Sequence, residues 1–173
     1  MAVRWWVLLG SVLVTGAAGA EVRHVGAHVH GRATVDISIE NNMVAAELDL
    51  AGHDAVGFEH PPGTPPERAA LARAKAVLQS GHWLEAARAA DCHVAEAHVD
   101  AHGFDATDTS GAHVDLHADY RLLCAYPDKL NALDVRLVET FPSLQTVVVN
   151  VLSANGSHQQ VLDPGVVRVD VQP

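Results

Sequence analysis

The segment Cys92-His93-Val94-Ala95-Glu96-Ala97-His98-Val99-Asp100-Ala101-His102 decides how this chain folds, together with its counterpart His113-Val114-Asp115-Leu116-His117-Ala118-Asp119-Tyr120-Arg121-Leu122-Leu123-Cys124. Both cysteines and five of the twelve histidines lie between Cys92 and Cys124. Side chains alternate across a β-strand. In the first half Glu96, His98, Asp100 and His102 therefore share a face. In the second half His113, Asp115, His117 and Asp119 share one, while Val114, Leu116, Tyr120 and Leu122 take the other. Two such strands, joined by a loop, bring imidazole nitrogens and carboxylate oxygens together, which is the ligand chemistry of a divalent metal.

The register can be worked out on paper. Pairing His102 with His113 sets Asp100 against Asp115, His98 against His117 and Glu96 against Asp119. Like groups then face each other and need cations or water to offset their repulsion. The same register leaves Cys92 opposite Leu123, with Cys124 on the apolar face. A direct Cys92–Cys124 bridge therefore requires a bulge or a twist. Either the bridge or the perfect ladder gives way, and the bridge is the one expected to hold.

The chain opens like a secretory signal. Arg4 supplies a positive start, Trp5 to Val14 an apolar run too short to span a bilayer, and Ala18-Gly19-Ala20 a cleavage site before Glu21. The alternative is an uncleaved membrane anchor. Cleavage leaves residues 21–173 as a single domain with no membrane span and changes the net charge from −10 to −11, because Arg4 is lost. So acidic a chain is a poor partner for nucleic acid and a reasonable one for cations. Export to an oxidising compartment also favours pairing of the two cysteines over two free thiols.

Elsewhere the pattern is that of a sheet with helices packed on it. Val35, Ile37 and Ile39 alternate with polar residues, Asn41-Asn42 supplies a two-residue turn, and Val44, Ala46, Leu48 and Leu50 return. In that hairpin Ile39 faces Val44, Ile37 faces Ala46, Val35 faces Leu48, and His30 lands opposite His53. His28, His30 and His53 are then either a ligand cluster or solvated histidines at a frayed strand end. Thr64-Pro65-Pro66-Glu67 reads as a capping box opening a helix over Pro65 to Gln79, with Gly81 as its stop. A second short helix is expected over Trp83 to Ala90, and a helical turn over Pro127 to Leu133. Strands are expected over Asp134 to Phe141 and Leu144 to Leu152, with Asn155-Gly156 turning the latter back through Val161 and Leu162. The fold class is α+β: a mostly antiparallel sheet with one main helix and short helical segments on it.

Several of these segments occur together in one known family. His28-Val29-His30-Gly31 ahead of a hairpin, Gly57-Phe58-Glu59-His60-Pro61, a helix, Cys92 before a histidine-bearing loop, Tyr120-x-x-x-Cys124 and Phe141-Pro142 together resemble the ZrgA-like zinc-regulated periplasmic proteins. The likeness covers nearly all of the chain after the signal. It implies a Gram-negative periplasmic protein, induced under zinc shortage, that binds zinc and assists its uptake, with no established enzymatic activity. A zinc-uptake transporter component is then a partner. The chain departs from the family in one place. Family members carry a long His/Asp/Glu run between the cysteine-bearing strands, whereas Gly103 to Ala112 holds no histidine. A single folded site binding roughly one or two zinc ions is expected, rather than a buffering array.

With the cysteines bridged, the ligands must be His, Asp or Glu. His28, His30, His60, His113 and His117 are the leading candidates, followed by His53, Glu59, His98 and His102. Glu59 reads equally as a ligand, as an acceptor fixing a histidine tautomer, or as a buried turn residue. Copper or nickel can compete at such a site. A hydrolase is disfavoured, since neither a nucleophile elbow nor an HExxH pair occurs. The competing class is a structural or partner-binding exported module whose histidines decorate its surface.

Overall fold

Apolar alternation builds the first hairpin as the sequence requires. In the computed structural model, which describes residues 29–105 and 114–171, β1 (Arg32–Glu40) and β2 (Met43–Ala51) pair antiparallel. Ile39 stands opposite Val44, Ile37 opposite Ala46 and Val35 opposite Leu48. The signal-like residues 1–20, together with His28 and His113, lie outside the described residues.

After β2 the chain makes a short helix, α1 (Gly52–Val56), then α2 (Pro65–Ser80). Thr64 and Glu67 form the reciprocal capping box at the start of α2. The Trp83 to Ala90 segment is not a helix. It forms β3 (Leu84–Ala86) and a 3₁₀ turn at Arg88–Ala90, because Leu84 must pair with Val135 and Trp83 is buried. Next come β4 (Cys92–His102), β5 (Asp115–Cys124) and a 3₁₀ turn at Pro127–Lys129. The strand expected over Asp134 to Phe141 is only half there. β6 (Ala132–Val135) ends at Arg136, whose guanidinium pairs with Asp134 and Glu139, and α3 (Leu137–Thr140) follows. β7 (Thr146–Ser153), β8 (Gly156–Leu162) and β9 (Arg168–Asp170) complete the described chain.

Six strands form one sheet in the order β4-β5-β2-β1-β7-β8, and β3-β6-β9 form a smaller one. All pairs are antiparallel except β1 with β7. The class is α+β and mainly β. One face of the large sheet is apolar: Val35, Leu48, Leu116, Tyr120, Val147 and Val149 are buried there. Leu78 and Ala74 of α2, and Leu133, Val135 and Val169 of the small sheet, close that core. The other face carries the polar residues of β1, β2, β4 and β5. Among the described residues, no helix is long and apolar enough to cross a membrane.

In the β4–β5 pair the bridge holds and the expected ladder gives way. Cys92 stands directly opposite Cys124 and is bonded to it. A bulge between Val94 and Glu96 shifts the register beyond it. The shift changes the ladder from the one worked out above. His102 faces Asp115, Asp100 faces His117, His98 faces Asp119 and Glu96 faces Arg121. Every acid now meets a histidine or an arginine, so the repulsion of the paper register is relieved.

Candidate metal centre

Two groups of histidines and carboxylates emerge, one at the end of the β1–β2 hairpin and one on the polar face of the sheet. At the hairpin end, His30 Nε2 lies 2.8 Å from Glu59 Oε1. The His30 ring stacks on His53, with centroids 4.6 Å apart. His30 and His53 therefore meet as stacked rings and not as ladder partners, since the pairing ends at Thr34 and Asp49 and His53 belongs to α1.

The backbone around these side chains is held firmly. Gly31 takes φ +79°, a conformation open to glycine. Its N–H donates to Asp54 Oδ2 at 2.8 Å, and its carbonyl accepts from Gln145 and Thr146. Asp54 is the buried charged residue of α1. Gly52 N–H donates to the Val114 carbonyl at 2.8 Å. A β-carbon on Gly52 would lie 2.9 Å from Val114 Cγ1 and 3.1 Å from Phe104 Cζ, so the ends of β2 and β5 approach this closely only with glycine. Phe58 meets Phe104 edge-on and stacks on His60. His60 Nδ1 donates to the Pro61 carbonyl at 3.0 Å, and its side chain is exposed.

On the polar face, His117 Nδ1 lies 2.8 Å from Asp49 Oδ1 and its Nε2 3.4 Å from Asp119 Oδ1. Burial lowers the pKa of His117, but the hydrogen bond and charge of Asp49, with Asp119 and Glu47 nearby, outweigh it and raise the pKa above the ordinary value. His98 Nε2 lies 3.0 Å from Asp100 Oδ2, and both side chains are well exposed. His102 is exposed and paired with Asp115 across the strands.

The sequence reading missed Asp49 and Asp54. Alternation alone puts Asp49 on the polar face, but its meeting with His117 depends on β2 lying beside β5, a pairing of distant segments. For Asp54 the sequence carries no signal, since a buried carboxylate capping a distant glycine has no local pattern.

As donors, these groups suit zinc: imidazoles and carboxylates, with the thiols consumed in the disulfide. Their arrangement is a separate matter. Among the described residues, no set of three or more His, Cys, Asp or Glu side chains is disposed to hold a metal ion. The stacked rings of His30 and His53 must turn before both nitrogens can address one ion. No curated protein matches the chain. The model of the family described as ZrgA family zinc uptake protein matches residues 27–171, and the chain belongs to that family.

Proposed function

We propose that the protein is an exported, periplasmic zinc binder that assists zinc acquisition. In this reading His30, His53 and Glu59 at the hairpin end supply the described part of a binding site, with His60 beside them. His28 and His113 are kept as further ligands on sequence grounds alone. The carrying observation is the contact of His30 with both Glu59 and His53 at one tethered turn. Family membership gives the zinc-related role. The disulfide suits a location outside the cytoplasm. The role is binding rather than catalysis, with delivery of zinc to a transporter component as its purpose.

The test is calorimetric titration of zinc into the wild type, His30→Ala, Glu59→Gln and the His30→Ala/His53→Ala pair. Each single change should weaken the tightest site by about tenfold or more, which is about 1.4 kcal/mol. Unchanged affinity in the double variant would place the site elsewhere.

A further inference from the structure

The large sheet has two edges, and they are finished differently. At β8, side chains bond the neighbouring strand β9. His158 Nε2 donates to the Asp170 carbonyl at 2.9 Å, and Gln160 Nε2 donates to the Arg168 carbonyl at 2.7 Å. β4 is the other edge and, at eleven residues, the longest strand. Among the described residues, one side-chain hydrogen bond reaches its outer side, from Gln79 Nε2 to the Ala97 carbonyl at 2.6 Å.

The pairing fixes which residues point outward. Cys124 N–H donates to Asn42, toward β2, so alternate residues of β5 turn toward β2 and those between them turn toward β4. Arg121, Asp119 and His117 therefore address β4, and their partners Glu96, His98 and Asp100 turn inward. Ala97, Val99 and Ala101 present their backbone groups outward, in agreement with the Gln79 bond to Ala97.

An edge of this kind can accept a strand, and charge decides which one. Three antiparallel registers with a second β4 set two different members of this outward trio against each other. Centring on His98 puts Glu96 against Asp100 of the second copy. Centring on Asp100 puts that acid against itself. Centring on Val99 puts His98 against Asp100 and Glu96 against His102, each pair occurring twice by symmetry. Only the last sets acids against histidines throughout. It also brings Val99 into a hydrogen-bonded pair on the two-fold axis and Ala97 into one with Ala101. The contact is isologous, as closed dimers require.

We propose that two copies of this chain associate edge to edge through β4, with the two-fold axis at Val99, forming a continuous twelve-stranded sheet. In the isolated chain His98 bonds its own Asp100. In the dimer each exchanges that partner for its counterpart on the other copy. Gln79 competes with the partner strand for the Ala97 carbonyl and so limits the association.

Sedimentation velocity over a concentration series tests this on the wild type and three variants. The wild type should dimerise reversibly at high protein concentration. His98→Asp sets acid against acid across the axis and should weaken association roughly tenfold. Adding Asp100→His restores opposite pairing and should recover the dimer, although it disturbs the pairs with Asp119 and His117 inside each chain. Gln79→Ala should strengthen association. Circular dichroism confirms that each variant is folded. A wild type that stays monomeric throughout overturns the proposal. So does a dimer that His98→Asp leaves unchanged, because that dimer uses another surface.

Discussion

His117 Nδ1 stands 2.8 Å from Asp49 Oδ1 across the pairing of β2 with β5, although the two residues are 68 positions apart in the chain. The contact raises the histidine pKa despite partial burial, with Asp119 and Glu47 adding to the effect. Folding therefore favours the imidazolium. That contribution to stability is complete below the unfolded pKa of about 6.5 and is lost as pH rises through the higher folded value. Urea unfolding of wild type and His117→Gln should show a larger gap in midpoint at about pH 5.5 than at about pH 8.5. An equal gap at both would mean that His117 contributes through packing alone.

The Cys92–Cys124 bond closes a loop with a sequence separation of 32 and ties the edge strand to its neighbour. Restricting the unfolded chain over such a loop contributes about 3–4 kcal/mol in the chain-entropy model. The Cys92→Ala/Cys124→Ala variant should lose stability of that order in urea unfolding, and the wild type should lose it under reductant. A loss below about 1 kcal/mol would show that the unfolded chain already holds β4 against β5.

Tyr120 joins the sheet to the C-terminal turn of α2. Its hydroxyl accepts from Trp83 Nε1 at 3.0 Å and donates to the Leu78 carbonyl at 2.9 Å. Burial pushes the phenol up to about 12, so it stays protonated and able to donate. Tyr120→Phe keeps the ring against Trp83 but leaves the indole N–H buried without this acceptor. The cost should be about 1–3 kcal/mol in urea unfolding. A smaller cost would mean that water replaces the hydroxyl.

Much of this fold was legible locally. The β1–β2 register followed from matching apolar residues around Asn41-Asn42, and the start of α2 from Thr64 and Glu67. Both rest on interactions within a few residues. Trp83 to Ala90 misled because its alanines permit a helix, while Leu84 answers to β6, some fifty residues away. The β4–β5 ladder was assigned the right polar face and the wrong register. Face follows from alternation, but register depended on where the bulge fell, and the bulge answers to the disulfide and to charge pairing together. The parallel β1–β7 contact had no local signature. At the candidate centre, hairpin geometry brought His30 near His53, but their ring stacking lies beyond the strand pairing, which ends at Thr34 and Asp49. Glu59 arrives from a loop, so its meeting with His30 was visible only as one alternative among several.

Asp54 offers the sharpest test of how the candidate centre is positioned. It is 4 % exposed, and its carboxylate accepts the Gly31 N–H one residue from His30. Its bond is to the Gly31 main chain and not to a candidate ligand side chain, so it acts through the backbone. Asp54→Ala removes the acceptor, leaves a buried N–H unpaired and should cost about 1–3 kcal/mol of stability. Asp54→Asn keeps an amide oxygen that can accept the same bond and should cost less. If the tethered turn presents His30 for zinc, Asp54→Ala should weaken zinc binding by calorimetry and Asp54→Asn should largely preserve it, at temperatures where both are folded. Stability falling in Asp54→Ala with zinc affinity untouched would assign Asp54 to the fold alone. The His30 turn would then not be the element that carries the metal.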